Sequence, residues 1–330
     1  MSEKLDPAQL ATLQQILADW DIPAADTIMQ VARGHPVFKI ITPSASFSLK
    51  ESSSAPNLHR LAFTHTVLTH VAACGIQVSV PLRTRSGQYC VSHAGQTYVL
   101  APFLEAGSAS DDPAQQGELF FYAGQAIARL HQALASYADP DVQHATWRDD
   151  FAAQIAGWID ALGAGLPPAQ AAIVHDLGQR RGTAIAEAMQ GLPEQLIHRD
   201  CHPGNMVFNG TRVVGFIDCD HLCVGARIFD LAYYAVHYLK WETATPAATE
   251  AWLTNLPQLI AGYTTQNRLL QVELDAFPFV MMTYHVLLAH WFLNLPRMEP
   301  IDLEIQALTW LDQRHVEVVH AVSQWSCYAR

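Results

Sequence analysis

The chain has 330 residues, with 19 Lys and Arg against 31 Asp and Glu, for a formal net charge of −12. That balance argues against a nucleic-acid backbone binder, which needs a basic surface. Half of the residues are hydrophobic and 15% are charged, so a large core can be buried, disorder is disfavoured, and the length predicts two domains.

In chain order, Asp6 caps a helix with Pro7 at its first position, and Leu10, Leu13, Ile16, Leu17 and Trp20 line one face. Three strand-like runs follow, Thr27–Ala32, Val37–Thr42 and Ser46–Lys50, with Thr42-Pro43-Ser44-Ala45 as a turn. Leu58–Ala73 reads as a helix, and Tyr89–His93 with Thr97–Leu104 as a hairpin around Ala94-Gly95-Gln96. The breaker-rich AGSASDDP stretch between Glu105 and Pro113 marks a boundary. Beyond it the pattern is helical: Gln115–Tyr137, Trp147–Leu162, Ala169–Met189, Ile228–Lys240, Ala247–Thr264, Val272–Leu293 and Asp302–Ser323. The longest apolar run, Phe277 to Leu293, is interrupted by Pro278, Thr283, Tyr284, His285 and His290, so it reads as a buried helix and no membrane partner is expected. Six cysteines without disulfide-scaffold density, and an N-terminus MSEKLDPAQL unlike a signal peptide, predict a reducing, cytoplasmic compartment. The expected fold class is α+β: residues 1–104 form a small antiparallel-sheet lobe and residues 105–330 a mainly helical lobe.

The densest chemistry lies in LIHRDCHPGNMVFNGTRVVGFIDCD, residues 196–220. His198-Arg199-Asp200 followed by Asn205 and a later Asp218 is the spacing with which kinase-like enzymes assemble a phosphoryl-transfer loop. Met206–Phe208 and Arg212–Ile217 are rich in β-formers, and Asn209-Gly210 between them predicts a type I′ hairpin. Counting residues back along that hairpin brings Asp218 opposite Cys201, near Asp200 and Asn205. Two carboxylates and a carboxamide supply oxygen ligands suited to Mg²⁺. Singly each is an ordinary turn residue; the joint spacing carries the argument.

With FSLKE around Lys50, YVLAPFLEAG, AIARLHQAL, LIHRDCHPGN, GFIDCD and RIFDLAYY, the chain resembles the aminoglycoside phosphotransferase/choline kinase family, nearest to its homoserine-kinase and spore-coat-kinase-like members. The resemblance implies a protein-kinase-like two-lobed fold and ATP- and Mg²⁺-dependent phosphorylation of a small polar alcohol: an amino alcohol, amino sugar or sugar. It implies Asp200 as the base, and Asn205 and Asp218 as Mg²⁺ ligands. Lys50 would meet the α/β-phosphates, Gly34 would sit in the covering loop, and Leu100 with Ala101 would line the base pocket. The Pro102, Phe103 and Leu104 backbone would meet adenine. His198 and Arg199 would shape the loop and Asp230 would brace it through backbone N–H groups. Asp220 has two open roles, touching a second metal or tying the loop down. His131 is a packing and hydrogen-bonding residue. His202 lines the substrate pocket or is structural; Tyr233, Tyr234, His237, Trp241, Tyr284 and Trp291 are further substrate-side candidates. The sequence assigns no oligomeric state.

Two features depart from that pattern. Leu58–Cys74 contains no acidic residue to pair with Lys50, and His65 stands near the expected place. The covering loop Arg33-Gly34-His35-Pro36 has one glycine. Lys39, one strand earlier than Lys50, is expected to face solvent. Zinc on the His and Cys residues of 198–223 is disfavoured because no CxxC pair occurs. The main rival is a kinase-like fold kept as a binding protein, favoured by the missing helix carboxylate and opposed by the intact Asp200, Asn205 and Asp218.

Overall fold

A computed structural model describes residues 5–32, 36–52, 57–105, 107, 109–138, 147–238, 245–295 and 299–324. The chain divides into two compact units: Met1–Gly107 with Val214–Asp220, and Ser108–Val213 with His221–Arg330.

The first unit is built on a five-stranded antiparallel sheet in the order β1-β2-β3-β6-β5. Its strands are β1 (Thr27–Ala32), β2 (Val37–Ile41), β3 (Ser46–Ser52), β5 (Val91–His93) and β6 (Gln96–Pro102). Helix α1 (Pro7–Leu17) starts with a capping box, Asp6 accepting from the Gln9 amide at 2.8 Å. Its Leu13, Ile16 and Leu17, with Trp20, pack on Phe38, Ile40, Leu49, Tyr98 and Leu100, which makes one face of the sheet the core of this unit. Strand alternation then sends Lys39, Ser48, Lys50, Val99 and Ala101 to the other face, since Lys39 lies opposite Ser48, Ser48 opposite Ala101 and Lys50 opposite Val99. The β5–β6 hairpin turns through Ala94 and Gly95, both at positive φ (49° and 82°), with His93 paired to Gln96. This is the geometry of a type I′ turn.

Helix α2 (Leu58–Ala73) is capped by the Asn57 side chain and leads to the short strand β4 (Gln77–Val78). Strand β9 (Arg212–Phe216) pairs with β4 in parallel, Gln77 with Gly215 and Val78 with Phe216. A Cβ on Gly215 would stand 2.7 Å from the Gln77 carbonyl oxygen, so this pairing needs glycine. Strand β9 thereby delivers Asp218 and Asp220 to the unit that holds Lys50.

The second unit is helical around a small antiparallel pair, β7 (Glu194–Ile197) with β10 (Cys223–Ala226). Its helices are α3 (Gln116–Ala135), α4 (Phe151–Gly165), α5 (Pro168–Met189), α6 (Ile228–Tyr238), α7 (Pro246–Thr264), α8 (Gln271–Leu293) and α9 (Glu299–Ser323). Helices α3 and α7 meet backbone to backbone at Gly124 and Gly262: a Cβ there would fall 2.0 Å from the Leu259 carbonyl oxygen and 1.8 Å from that of Phe121. Helix α8 is long and apolar enough to cross a membrane, but it packs against α4, α5, α6 and α9 with Phe277, Met281 and Tyr284 buried. A bidentate pair from Arg227 to Glu273, at 2.8 and 2.7 Å, ties the start of α6 to α8.

The nine expected helices are present with boundaries a few residues apart, while strands β4, β7 and β10 were not anticipated. The turn expected at Asn209-Gly210 is displaced. Asn209 ends strand β8 (Met206–Asn209), so the loop is Gly210-Thr211, and only Gly210 of the expected pair has positive φ (63°). Glycine first in a two-residue loop is the type II′ pattern rather than I′.

Candidate active site

The loop after β7 is held from beneath by a buried carboxylate. Asp230, on the first turn of α6, accepts from the backbone N–H of His198 at 2.9 Å and of Arg199 at 2.8 Å, and its Oδ2 lies 3.0 Å from His131 Nε2. The other ring nitrogen of His131 meets the Tyr263 hydroxyl at 2.9 Å, so the close α3–α7 packing carries through to the loop. Asp230, His131 and His198 are fully buried. Two of the loop's amides therefore terminate on a charge-bearing acceptor, the strongest kind available to them. Arg199 takes a left-handed φ of 70°, which a non-glycine residue holds only when its surroundings enforce it. Its side chain ion-pairs with Asp149, whose Oδ2 also accepts from the Cys223 thiol at 3.3 Å. Burial, with Asp149 beside it, pushes the Cys223 thiol well above its usual range. The sequence reading missed Asp149; an acidic residue just before the α4 periodicity was its only signal.

Asp200 stands on this support. Its Oδ1 accepts from the Tyr233 hydroxyl at 2.5 Å, and its Oδ2 from Asn205 Nδ2 at 2.6 Å. Asn205 Nδ2 also reaches the Asp200 carbonyl at 2.9 Å, locking the 3₁₀ turn Pro203–Asn205 onto the carboxylate. Burial works to raise the Asp200 pKa. The Tyr233 hydrogen bond, then His202, His221 and His198, outweigh it and hold the carboxyl below the ordinary aspartate value. His202 Nδ1 accepts from the Gly204 amide at 3.0 Å, and its Nε2 lies 3.8 Å from Asp200 Oδ2. The ring stacks on His237 at 4.5 Å and lies 5.8 Å from Tyr233. Tyr233 in turn meets Tyr284 edge-on at 4.3 Å and Phe229 at 6.0 Å. The three substrate-side candidates His202, Tyr233 and His237 thus form one aromatic wall beside Asp200, with Tyr284 behind Tyr233. Tyr234 is core, packed on Phe120 at 5.6 Å; Trp291 is 54% exposed; Trp241 lies outside the described residues.

In the first unit, Lys50 Nζ donates to Asp218 Oδ1 at 2.7 Å and to Asp220 Oδ2. Burial opposes the ammonium, but the Asp220 and Asp218 carboxylates dominate and raise its pKa above the ordinary lysine range. Asp218 has φ 56°, a second left-handed non-glycine residue among those singled out. Asp220 therefore has a defined role as a lysine partner. His65, near the place where a helix carboxylate was missing, has its Nδ1 2.9 Å from the Pro81 carbonyl oxygen and its ring 5.0 Å from Tyr89. The α2 residue that reaches the Asp218–Asp220 segment is Arg60, donating from Nε and Nη2 to the Asp220 carbonyl at 3.1 and 2.8 Å.

Three further expectations are corrected or narrowed. Leu100 does not share the face of Lys50; it is fully buried against α1, because adjacent strand residues point to opposite sides, and Ala101 takes the Lys50 face. Lys39 does not point to solvent. It lies on the Lys50 face, pairs with Glu105 at 2.5 Å, sits 4.3 Å from the Phe103 ring centre and is 17% exposed. At the end of β6, the Phe103 N–H donates to the Ser46 carbonyl at 2.9 Å and the Pro102 carbonyl accepts from Ser79 Oγ at 3.0 Å. Gly34 lies outside the described residues. Among the described residues no three side chains of His, Cys, Asp or Glu converge as a metal cluster. Asp218 and Asn205 each carry a side-chain oxygen, the donor type that a hard cation takes.

Comparison with known proteins places these features in a lineage. The model of the phosphotransferase enzyme family matches residues 30–264. The chain is 29% identical over 225 residues to a homoserine kinase of Beijerinckia indica, covering 67% of each, and 25% identical over 274 residues to one of Parvibaculum lavamentivorans, covering 81% of this chain and 80% of that one. An amicoumacin kinase in complex with AMP-PNP and Ca²⁺ superposes with a TM-score of 0.67 at 16% identity, over 94% of this chain and 93% of that one. A microcompartment-associated aminopropanol kinase gives 0.66 at 15% identity, over 97% and 98%.

Proposed function

The chain belongs to the phosphotransferase enzyme family, an ATP-dependent small-molecule kinase with a protein-kinase-like fold, and on that premise we propose that it phosphorylates a hydroxyl of a small amino alcohol, with Asp200 as the base. The observation that carries the assignment is the setting of Asp200: a carboxylate kept ionised, fixed on both oxygens, and flanked by a wall of Tyr233, His202 and His237.

Phosphoryl transfer passes through a loose transition state, so orientation of the acceptor outweighs the strength of the base. Asp200 accepts a hydrogen bond from the substrate hydroxyl and takes its proton as the new O–P bond forms and ADP leaves. Tyr233 and Asn205 hold the carboxylate in one rotamer, which turns part of the activation entropy into folding energy. The aromatic wall suits a cationic amino alcohol, whose ammonium is attracted to ring faces. Lys50 meets the nucleotide phosphates. The Phe103 N–H is committed to Ser46, so the amide donor offered to adenine is that of Leu104. Asn205 and Asp218 would be the residues to hold Mg²⁺, which would supply neutralisation of charge on the transferred phosphoryl group. The first unit, residues 1–107 with 214–220, carries the nucleotide role and the second the substrate role.

The homoserine kinases among its relatives make homoserine the first acceptor to try, followed by aminopropanol, ethanolamine, choline and amino sugars. ADP release is measured for each with Mg²⁺ and ATP, with Asp200→Ala as the control. Turnover of an amino alcohol that disappears in the variant is the expected result. Acceptor-dependent turnover unchanged in Asp200→Ala overturns the base assignment, and turnover confined to neutral sugars overturns the acceptor class.

A further inference from the structure

The missing acidic residue on α2 leaves Lys50 without the partner that a helix carboxylate would supply, and the first unit supplies another. Lys50 is paired by Asp218 and Asp220. Of these, Asp218 is assigned to the metal, which leaves Asp220 as the carboxylate dedicated to the lysine. Asp220 follows a residue pair that starts in left-handed backbone at Asp218, so its side-chain direction depends on how its main chain is held. What holds it is Arg60: one guanidinium gives two hydrogen bonds, from Nε and Nη2, to the single carbonyl oxygen of Asp220. Arg60 is itself fixed by the start of its helix, where its backbone N–H donates to the Asn57 cap at 3.0 Å. A planar fork with two donors on one acceptor orients a peptide group in a way a lysine does not.

We propose that Arg60 is a positioning residue for nucleotide binding, acting through Asp220 on Lys50. The helix thus governs the phosphate-binding lysine with a cation on a backbone carbonyl, where a helix carboxylate would pair the lysine directly. The charge on α2 is inverted, and the intervening aspartate restores the sign that Lys50 sees. This inference rests on the assignment of Lys50 to the nucleotide.

The test is a double-mutant cycle read by binding of Mg·ATP and Mg·ADP in titration calorimetry, which needs no acceptor, together with KM for ATP and for the acceptor. The proteins are the full chain as wild type, Arg60→Ala, Arg60→Lys, Lys50→Ala and the Arg60→Ala/Lys50→Ala pair, each checked for folding by thermal melting. Arg60→Ala is expected to weaken ATP binding about tenfold, the size of a lost charge-assisted hydrogen bond, while the acceptor KM moves less than about twofold. Arg60→Lys, with one donor line where Arg60 has two, recovers only part of that loss. In the Lys50→Ala background, adding Arg60→Ala changes ATP binding less than about twofold, because the residue acts only through the lysine. Additive losses, or equal losses for ATP and acceptor, overturn the proposal. If Arg60→Ala does not fold, the same cycle with Arg60→Gln, which keeps one donor, decides in the same way. A wild type that does not bind Mg·ATP overturns the nucleotide assignment and this inference together; a wild type that binds without coupling overturns only this inference.

Discussion

Asp200 and Lys50 are the two charged residues on which the proposed reaction rests, and they are held in opposite ways. Asp200 rests on hydrogen bonds: from Tyr233 and Asn205 to its carboxylate, and below them from two loop amides to the buried Asp230 beside His131, while its own side chain is 26% exposed. Lys50 is held by carboxylates that are 42% and 50% exposed, and is itself 36% exposed. Hydrogen bonds in a dry setting fix one geometry, whereas ion pairs at the solvent boundary are screened and adjust at small cost. On the proposed function, the centre that orients a hydroxyl is the one fixed by hydrogen bonds, and the centre that takes the nucleotide phosphates is the one held by ion pairs near solvent. Variants that separate rigidity from charge test whether this contrast is real.

The largest effect is expected at Asp200 itself. Asp200→Ala should lower kcat by about 10³-fold, within the range for loss of a general base, while Mg·ATP affinity in calorimetry stays within a few-fold of wild type. A parallel collapse of nucleotide affinity would break the division between the two centres. Next comes the support beneath it. Asp230→Ala leaves two backbone N–H groups and His131 without their common acceptor in a fully buried place, and should cost about 3–5 kcal/mol of stability in urea unfolding. A loss below about 1 kcal/mol would mean that the loop is held by something else. Tyr233→Phe is milder: the fold keeps its aromatic contacts with Tyr284 and His202, but Asp200 loses one hydrogen bond. We expect kcat/KM for the acceptor to fall about tenfold with kcat for ATP hydrolysis in water little changed, since a hydrogen bond to a charged group contributes about 1.5–3 kcal/mol.

The rigid centre was the more legible of the two in the sequence. His198-Arg199-Asp200, Asn205 and Asp230 are set by short spacings along one loop and the next helix, and local spacing is what a single sequence records. The Asp230 contacts to loop amides, and the grouping of His202, Tyr233 and His237, follow from i, i+3/i+4 placement on α6 beside that loop. The Lys50 centre depends on pairings far apart in the chain. Strands β4 and β9 are brief, and the partnership of Lys50 with Asp218 and Asp220 spans 168 and 170 residues. Arg60 carries no local signal of its role, since the Asp220 carbonyl it binds lies 160 residues further along the chain. Leu100 was misassigned for want of the strand's phase: without knowing that α1 covers Tyr98 and Leu100, either face of β6 was an equal candidate for the base pocket. The Asn-Gly signal marked a real turn, but the strand continued through Asn209 and shifted the loop by one residue.

The smallest effect provides the calibration. Asp312 on α9 is a buried carboxylate tied by ion pairs, the chemistry of the Lys50 centre in the dryness of the support beneath Asp200. Its Oδ1 meets Arg181 Nε at 2.7 Å and its Oδ2 meets Arg180 Nη1 at 2.6 Å, with the carboxylate 9% exposed. Burial works to raise its pKa, and the hydrogen bonds from Arg180 and Arg181 outweigh this and lower it. A depressed folded pKa means that the ion pairs contribute stability above the unfolded value of about 3.9 and lose it as pH falls through the lower folded value. Both arginines are partly exposed, so screening limits the contribution to about 1 kcal/mol. Asp312→Asn should therefore be less stable than wild type by about that amount at pH 7, by the same amount at pH 5, and indistinguishable from it well below pH 4, with turnover per folded molecule unchanged. Urea titrations across that range read the gap directly. A gap that widened on acidification would show that the carboxylate is strained rather than stabilised by its arginines, and would remove the reason for treating exposure, rather than charge, as the difference between the Asp200 and Lys50 centres.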